Sequence, residues 1–290
     1  MSEKLQNFIQ LTRINKPIGY MLLLWPCLWG LAAAYDFDTG LKIFIYYSIL
    51  FFFGSVLMRT AGCIINDIVD RKYDSKVERT KLRPIATGKI TIFSALGFAF
   101  FLCLLAFIIL IQFNNLTIII ALISMPLAFT YPYMKRYTYW PQLYLGITFN
   151  YGILLGWTSV QNDISLIPLL FYLGAIFWTL GYDTIYGYQD IKDDEIIGLK
   201  STSIKFKKNP KLFLSICYLI TTISFLLVGL LMNFNIYFFM SIILSSIHLF
   251  FLQIYKVKIE NDISCLKVFK SNNIFGLLIL LCFIIGKITS

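Results

Sequence analysis

Long apolar runs dominate this sequence and limit the folds that are open to it. A helix of roughly 17–25 apolar residues crosses the hydrocarbon of a bilayer. Runs of this kind occupy nine ranges, 17–35, 43–66, 91–112, 115–133, 141–159, 167–188, 211–232, 235–255 and 272–289. Helices satisfy their own backbone hydrogen bonds in lipid. The sequence therefore predicts an all-α membrane protein with about nine transmembrane helices in a single bundle.

Composition excludes a soluble globular protein. The chain is 58% hydrophobic with a mean hydropathy of +0.75, which leaves too little polar surface to cover a globule. No small-residue cleavage site follows the amphipathic segment 5–13, so we expect that segment to be retained. The six cysteines are scattered without paired spacing and predict neither a disulfide framework nor a metal site. The single histidine, His248, lies in an apolar run and predicts no histidine-based catalysis.

The distribution of lysine and arginine orients the predicted helices. Cytoplasmic loops of membrane proteins collect these residues. With the N-terminus in the cytoplasm, 22 of the 25 basic residues lie on the cytoplasmic side, Lys42 and Lys287 lie outside, and Arg59 lies within the second span. The net charge of +10 then reflects this bias and an attraction to anionic lipid. We therefore predict membrane lipid, and not nucleic acid, as a partner.

A polar island interrupts the end of the second apolar run, where residues 59–74 read RTAGCIINDIVDRKYD. Asn66, Asp70 and Asp74 are four residues apart and form one stripe on a helix, with Asp67 beside it. Carboxylates this close repel one another unless a cation holds them. Oxygen ligands favour Mg²⁺, which commonly bridges carboxylates to phosphates. A solvated helix end is the alternative for this island alone.

A second island, DTIYGYQDIKDD at 183–194, follows at the cytoplasmic end of the sixth span. Asp183, Tyr186, Asp190 and Asp194 fall at three- and four-residue steps and form a second stripe. Because spans two and six end on the same side, the stripes face the same compartment. Together they predict a cradle of two Mg²⁺ sites for a diphosphate, in a central cavity open to the cytoplasm.

The repetition also bears on domain organisation. Basic segments that contain glycine follow both islands, and they suggest an internal pseudo-repeat of about 17–133 and 141–255 within one integral-membrane domain, 1–290. Asp193 lies at the edge of the second stripe and Glu195 points elsewhere, so both are left out of the metal site.

Four cations lie near the islands. A guanidinium inside a span costs about 3 kcal/mol on insertion scales unless it has a partner or a wet cavity. Arg59 precedes Asn66 by two helical turns on nearly the same face, so we interpret it as ligand-facing, with a structural salt bridge as the alternative. Arg13, Lys135 and Arg136 lie at cytoplasmic ends of helices, where anion binding and ordinary anchoring both fit.

A diphosphate held at a membrane surface indicates an isoprenoid donor, since its tail belongs in lipid and its head in water. Bound Mg²⁺ would stabilise the charge that grows on the departing diphosphate. The faces of tyrosine and phenylalanine rings, of which the chain has 18 and 27, can stabilise the allylic cation that remains.

These motifs resemble a known family. Asn66-Asp67-x-x-Asp70-x-x-x-Asp74, together with Asp183-x-x-Tyr186-x-x-x-Asp190-x-x-x-Asp194, is similar to the paired motifs of the intramembrane aromatic prenyltransferases of the UbiA superfamily. The resemblance covers nearly the whole chain. Segments 131–146, 182–186 and 198–202 resemble the branch of that family that acts on 4-hydroxybenzoate in ubiquinone synthesis.

The resemblance implies transfer of a polyprenyl chain from polyprenyl diphosphate to the ring carbon ortho to the hydroxyl of 4-hydroxybenzoate, with Mg²⁺ as cofactor. It assigns metal ligands at Asn66, Asp67, Asp70, Asp74, Asp183, Asp190 and Asp194, of which Asp70, Asp74, Asp190 and Asp194 take the catalytic role. It assigns contacts with phosphate oxygens to Arg59 and Lys135, and we add Arg13 as a further candidate for diphosphate binding. Our own candidates for binding the acceptor are Arg136, whose guanidinium fork fits a carboxylate, and Tyr186. The basic segments 71–90 and 191–210 are expected to close over the site.

Other readings are kept open. Within the family, the acceptor could be a naphthoate, homogentisate or haem. A cation-coupled transporter also carries acids in its membrane spans, but typically at the midplane on interrupted helices, and the islands here lie at one surface. A phosphatidyltransferase signature requires glycine and Ala-Arg between the acids, which this chain lacks. We expect a bacterial inner membrane, with the active site on the cytoplasmic side.

Overall fold

A computed structural model of the protein describes residues 3–290, and that part of the chain forms helices and no β-strand. The α-helices in chain order are α1 Glu3–Thr12, α2 Ile18–Ala34, α3 Lys42–Asp74, α4 Ile92–Leu110, α5 Asn115–Thr130, α6 Met134–Tyr137, α7 Pro141–Gln161, α8 Leu166–Gly187, α9 Ile191–Ile196, α10 Thr202–Lys205, α11 Pro210–Leu231, α12 Ile236–Ile247 and α13 Asp262–Thr289. Short 3₁₀ helices cover Phe37–Thr39, Tyr131–Tyr133 and Tyr188–Asp190, and a π-helix continues α12 over His248–Tyr255. The prediction of an all-α membrane protein is confirmed.

Each predicted span coincides with a helix, and seven helical segments of the described chain are long and apolar enough to cross a membrane. The other two are α2, which has only 17 residues, and α7, which has 21 residues but carries polar side chains such as Asn150 and Thr158. The chain is a multi-pass membrane protein. The count of nine crossings, the side on which the cavity opens and the pseudo-repeat stay predictions.

Two helices exceed their predicted ranges. The second apolar run ends near residue 66, but α3 continues to Asp74, because the polar stripe is itself helical. The last run begins near residue 272, but α13 starts ten residues earlier, where the side chain of Asn261 accepts a hydrogen bond from the Ser264 amide at 2.8 Å.

Glycines let α2 and α7 pack backbone against backbone at the centre of the bundle. A Cβ atom added to Gly30 would lie 2.9 Å from Cα of Ile153, and one added to Gly156 would lie 2.5 Å from the Leu31 nitrogen. Such distances are too short for any real side chain. Small residues at helix crossings permit this close approach in membranes, where packing rather than the hydrophobic effect drives association.

Indole and amide side chains connect the other helices to this centre. Trp29 on α2 donates to the Gly276 carbonyl on α13 at 2.7 Å, and Trp178 on α8 donates to Asn272 on α13 at 2.8 Å. Gln253 in the π-helix also donates to Asn272, at 2.8 Å, and accepts from Tyr218 on α11 at 2.7 Å. Because all these groups are satisfied in a low-dielectric interior, the network fixes α8 relative to its neighbours. The six cysteines are free thiols.

Candidate active site

Both acidic islands lie at the same end of the bundle. The 33 residues of α3 extend for about 50 Å at 1.5 Å per residue, well beyond a hydrocarbon core of roughly 30 Å. Its last turns therefore project past the apolar part with the first island. The second island occupies the end of α8, the 3₁₀ helix after it and α9. Arg79, in the loop 75–91 after α3, forms an ion pair with Asp190, so the loop joins the two islands.

A cavity of about 1450 Å³ opens between the islands. It is lined by α2, α3, α4, α5, α7, α8 and α13 and by the loop 75–91. Ten of the twelve predicted site residues line it, namely Arg13, Arg59, Asn66, Asp70, Asp74, Lys135, Asp183, Tyr186, Asp190 and Asp194. The folding of two distant segments thus brings both stripes to one space.

Cations neutralise the acids of the first island. Lys135 Nζ lies 2.6 Å from Asp70 Oδ2, and Arg83 Nη1 lies 2.7 Å from Asp74 Oδ2. Asp70 is 2% exposed and Asp74 is 6% exposed. Removing Arg83 would leave the buried Asp74 carboxylate without its ion-pair partner, which is strongly destabilising. Without Lys135, by contrast, Asp70 would keep a second cation, Arg136, at 3.2 Å.

The second island takes its cation from the loop. The Nε of Arg79 lies 2.7 Å from Asp190 Oδ1, and a second guanidinium nitrogen bonds the other oxygen of the same carboxylate. Arg79 Nη1 also donates to the Tyr186 hydroxyl at 3.1 Å, and the guanidinium lies over the Tyr186 ring. The loop 75–91 therefore covers this side of the cavity, as expected for the basic segment 71–90.

Several polar groups that line the cavity lack a protein partner for at least part of their polar surface, among them the hydroxyl of Tyr182. Within residues 3–290, the carboxylates of Asp183 and Asp194 make no hydrogen bond or ion pair with protein, and the Nε of Arg59 is buried without an acceptor. Arg59 Cζ lies 5.5 Å from the centre of the Phe149 ring. Buried polar groups are nearly always satisfied, so the buried Nε of Arg59 is suited to contact with a ligand. The carboxylates of Asp183 and Asp194 are only partly buried and are open to a ligand in the cavity.

Asp67 and Arg136 do not line the cavity. Asp67 is 1% exposed and pairs with Arg13 and with Arg83, the latter at 3.0 Å. Arg136 donates to the Val69 carbonyl at 2.9 Å and to Asp70 at 3.2 Å, and its guanidinium packs over Tyr73 and Tyr133. In this arrangement Arg136 supports Asp70 on α3. Asp67 holds Arg13 and Arg83 against the same helix. The predicted roles of Asp67 as a metal ligand and of Arg136 as an acceptor-binding residue stay predictions.

The mouth of the cavity is electrostatically positive. Lys16, which precedes α2, lines the cavity together with Lys200 and Lys270. Burial, followed by the neighbouring charges of Arg13 and Arg79, lowers the pKa of Lys16 from its ordinary value. Eight basic residues line the cavity against five acidic ones, so the lining carries an excess of positive charge. Such a mouth attracts anions.

The oxygens around the cavity fit Mg²⁺ in their chemistry. They are carboxylate and amide oxygens, which are hard ligands. Among residues 3–290, no three acidic, histidine or cysteine side chains form a metal-binding group on their own. Mg²⁺ usually binds through one or two carboxylates together with waters and substrate phosphates rather than in an all-protein cage. A metal here would accordingly need oxygens from a bound phosphate compound.

Comparison with known proteins identifies the family of the chain. Residues 23–279 match the UbiA prenyltransferase family. The chain belongs to the UbiA prenyltransferase family. It is 42% identical over 289 residues to the mitochondrial 4-hydroxybenzoate polyprenyltransferase of Arabidopsis thaliana, a match that covers 99% of this chain and 70% of that protein. It is 39% identical over 277 residues to the 4-hydroxybenzoate octaprenyltransferase of Psychromonas ingrahamii, covering 96% and 95% of the two chains.

Solved structures of UbiA proteins share the fold. The apo structure of a UbiA homologue from Aeropyrum pernix K1 is 22% identical and superimposes with a TM-score of 0.72, covering 93% of this chain and 96% of the other. A UbiA homologue from Archaeoglobus fulgidus bound to GPP and Mg²⁺ is 17% identical with a TM-score of 0.68, covering 96% and 99%. As a member of the UbiA family, the protein is a prenyltransferase, and structures of its relatives contain metal ions.

Two functional candidates were missed by the site prediction from sequence. Arg79 and Arg83 line the cavity and pair with predicted site acids. In the sequence they are two of seven basic residues between positions 71 and 89. The two arginines are four residues apart, which places them on one side of a turn, and this spacing was the one sequence signal that could have indicated a shared role. The same spacing of basic residues occurs in many solvated segments.

Proposed function

We propose that this UbiA prenyltransferase transfers a polyprenyl chain from its diphosphate to the carbon ortho to the hydroxyl of 4-hydroxybenzoate. The observation that carries the proposal is a single cavity with two kinds of wall. Acids and cations from both islands line one end, and apolar side chains of α3, α4, α5 and α7 line the rest. A molecule with a charged diphosphate head and a long apolar tail matches both.

The acceptor follows from the relatives. Proteins about 40% identical over nearly the whole chain are named for 4-hydroxybenzoate, in both mitochondrial and bacterial members. No feature of the cavity favours a naphthoate, homogentisate or haem, or a transported cation, over this acceptor. We further propose a bacterial inner membrane, with the islands on the cytoplasmic side, as the basic loops indicate.

The cofactor in this proposal is Mg²⁺. Asn66, Asp70 and Asp74 would hold it from one wall, and Asp183, Asp190 and Asp194 from the other. When bound, Mg²⁺ would neutralise the charge that develops on the departing diphosphate. The cations nearest these acids, Lys135, Arg79 and Arg83, would then be free to bind phosphate oxygens, and Arg59 has an unused donor for the same purpose. The apolar wall excludes water, which would otherwise capture the allylic cation.

The test is a product assay. Membranes that contain the protein would be given octaprenyl diphosphate, Mg²⁺ and one acceptor at a time, from 4-hydroxybenzoate, dihydroxynaphthoate and homogentisate. We expect a prenylated hydroxybenzoate by mass spectrometry, and we expect it to disappear when EDTA is added. Product from another acceptor alone would refute the proposed acceptor. Release of no product from any acceptor, with ion flux instead, would refute the proposed reaction.

The position of Arg136 gives a kinetic prediction. Because Arg136 bonds Asp70 and the Val69 carbonyl and not the cavity surface, Arg136→Ala should lower kcat by roughly tenfold through a displaced Asp70 and leave KM for 4-hydroxybenzoate nearly unchanged. Steady-state kinetics with the acceptor varied measures both constants. A large rise in KM at constant kcat would instead support direct binding of the acceptor carboxylate.

A further inference from the structure

A groove on the outer surface of the bundle lies between α11 and the long helix formed by α12 and the π-helix. Thr222 on α11 lines one side, and Ile243, Ser246, Phe251 and Tyr255 are among the residues that line the other. The groove has a volume of about 490 Å³, and within the described chain it shares no lining residue with the central cavity. It is therefore a separate feature, and the proposed reaction makes no use of it.

Two small hydroxyl side chains form the floor of the groove. Thr222 donates to Ser246 at 3.1 Å, and Ser246 donates to the Ile242 carbonyl at 2.9 Å. Because these hydroxyls bond protein groups, the floor needs no polar partner from outside. The large apolar side chains of Ile243 and Phe251 flank the floor and are 57% and 44% exposed. A depression of this shape and polarity fits an acyl chain.

The groove does not lead into the cavity. Tyr218, one turn before Thr222 on α11, donates to Gln253 in the π-helix at 2.7 Å, and both of these side chains are fully buried. This contact closes the space between the two helices behind the groove. An apolar chain in the groove therefore stays on the lipid side and does not compete with the prenyl donor.

The end of the groove at Tyr255 carries positive charge. Lys256 follows directly, and its Nζ lies 4.6 Å from the centre of the Phe251 ring. The loop between α11 and α12 has only four residues, 232–235, so the helices are antiparallel and the start of α11 lies beside the end of the π-helix. There Lys211 precedes Thr222 by about three helical turns, which places it on nearly the same face of α11. Cations from two helices thus flank one end of the groove.

These two lysines have no acidic partner in the protein. Within residues 3–290, neither Lys211 nor Lys256 forms an ion pair, although Glu260 and Asp262 follow a few residues after Lys256. Both lysines lie at the same end of the bundle as the islands, because only residues 206–209 separate α10 from α11. Basic residues at a membrane surface attract anionic headgroups.

We propose that the groove binds one anionic phospholipid of the bilayer, with its phosphate between Lys211 and Lys256 and one acyl chain along the floor. From Tyr255 to Ile243 the groove extends for roughly 15–18 Å at the rise of a helix, away from the basic end, as an acyl chain extends from its headgroup. Tyr255 is 73% exposed and lies where tyrosine is common, at the interface between lipid and water. Neutral lipids meet the same apolar surface, so the charge of the headgroup decides which lipid binds.

A lipid in this position would contact α11 and the π-helix at once. The π-helix carries Gln253, which donates to Asn272 at 2.8 Å and so connects the groove to α13. A ligand that binds only the folded state stabilises it by mass action. We therefore expect the anionic lipid to raise the apparent Tm of the protein in detergent.

The test is lipid binding to the purified full-length protein. Palmitoyl-oleoyl phosphatidylglycerol and palmitoyl-oleoyl phosphatidylcholine have the same acyl chains and differ in the charge of the headgroup. Each would be added to delipidated protein in detergent, and native mass spectrometry would give the Kd of the first bound lipid. We expect phosphatidylglycerol to bind at least about tenfold more tightly, since each nearby lysine contributes about fivefold, and to raise the apparent Tm by more.

A double variant tests the two lysines, which are exposed and unpaired, so folding should not depend on them. Lys211→Gln combined with Lys256→Gln should weaken phosphatidylglycerol binding by about 25-fold, about fivefold for each lysine. The matched control is Lys72→Gln combined with Lys76→Gln. It removes the same charge at the same end of the bundle, but α3 does not pack against α11 or α12, so its Kd should stay within about twofold of the wild type because distant charges are screened.

A second pair of variants tests the apolar part. In Ile243→Trp, the indole would occupy the groove, and the affinity for phosphatidylglycerol should fall to that for phosphatidylcholine. Leu244→Trp is the matched control. Leu244 is the next residue, is 70% exposed and does not line the groove, so this variant should bind lipid as the wild type does.

Three outcomes would overturn the proposal. Equal affinity of the wild type for the two lipids, or equal losses in the two double variants, would leave the groove as ordinary contact with the bilayer. A protein dimer that dissociates in Ile243→Trp would assign the groove to a second copy of the chain. The comparison of lipids on the wild type holds whether or not a variant folds. Because no prenyl transfer is measured, the result is independent of the proposed function.

Discussion

Asp194→Asn should lower kcat for prenyl transfer by about 10²–10³-fold, the usual cost of removing one charge-stabilising group from a transition state. Asp194 lines the cavity, and its carboxylate has no hydrogen bond or ion pair within the described chain. It is therefore available to a cation brought by the substrate complex. Asparagine keeps the shape and one oxygen but removes the charge, so binding of the apolar tail should be retained. Steady-state rates over a Mg²⁺ titration measure the effect.

Asp193→Asn is the matched control. The neighbouring carboxylate accepts a long hydrogen bond from the Glu78 amide at 3.4 Å and does not line the cavity. The same change in charge at the adjacent position should therefore alter kcat by less than about threefold, as expected for a residue outside the site. Comparable losses in both variants would mean that the second island acts through its overall charge, and would contradict the assignment of Asp194 as a metal ligand.

Gly156→Ala should cause the largest loss of stability. The new Cβ would lie 2.5 Å from the Leu31 nitrogen and 3.0 Å from the Gly30 carbonyl carbon. Both are backbone atoms of α2, so no side-chain rotation relieves the contact, and the helices must separate. Overpacking of this kind costs about 1–3 kcal/mol. We expect a lower apparent Tm in detergent and a smaller monodisperse fraction on size exclusion, and Gly156→Leu should not yield folded protein.

Gly97→Ala provides the comparison. Gly97 lies in α4, also within a helix, and a Cβ atom there would meet nothing within 4 Å. Alanine is the better helix former by roughly 0.5–1 kcal/mol, so this variant should be as stable as the wild type or more so. If Gly156→Ala were equally stable, the close approach of α2 and α7 would not be needed for the fold.

The helical architecture could be predicted because its signals are local. Hydropathy over about 20 residues locates helices, and periodicity within α3 and α8 places acids on one face. The residues at which helices begin and end were harder to predict from the sequence. The first island ends an apolar run in the sequence. Helical backbone hydrogen bonds do not depend on side-chain polarity, however, and α3 therefore continues to Asp74. The start of α13 at Asp262 depends on a capping side chain rather than on hydropathy.

Pairing between the islands could not be derived from periodicity. Asp67 and Asp70 belong to one helix and have similar sequence surroundings, yet the first turns to Arg13 and Arg83 and the second lines the cavity. That difference depends on how α1 and the loop 75–91 pack, which is a tertiary property. The same holds for Arg79, whose partner Asp190 is 111 residues away in the chain.

Two contacts join segments that are far apart in the chain, and they determine the order in which the site can assemble during synthesis. Arg79 pairs with Asp190, and the Lys200 amide donates a hydrogen bond to the Lys135 carbonyl at 2.8 Å. The loop 75–91 emerges from the ribosome before α8 and α9 exist. Until those helices are inserted, Arg79 has no carboxylate to bind and the loop has nothing to close against. The site is therefore completed only when the second half of the chain has joined the first. An unfinished chain would carry the first island with its own cations, Arg83 and Lys135, but without the carboxylates of the second island.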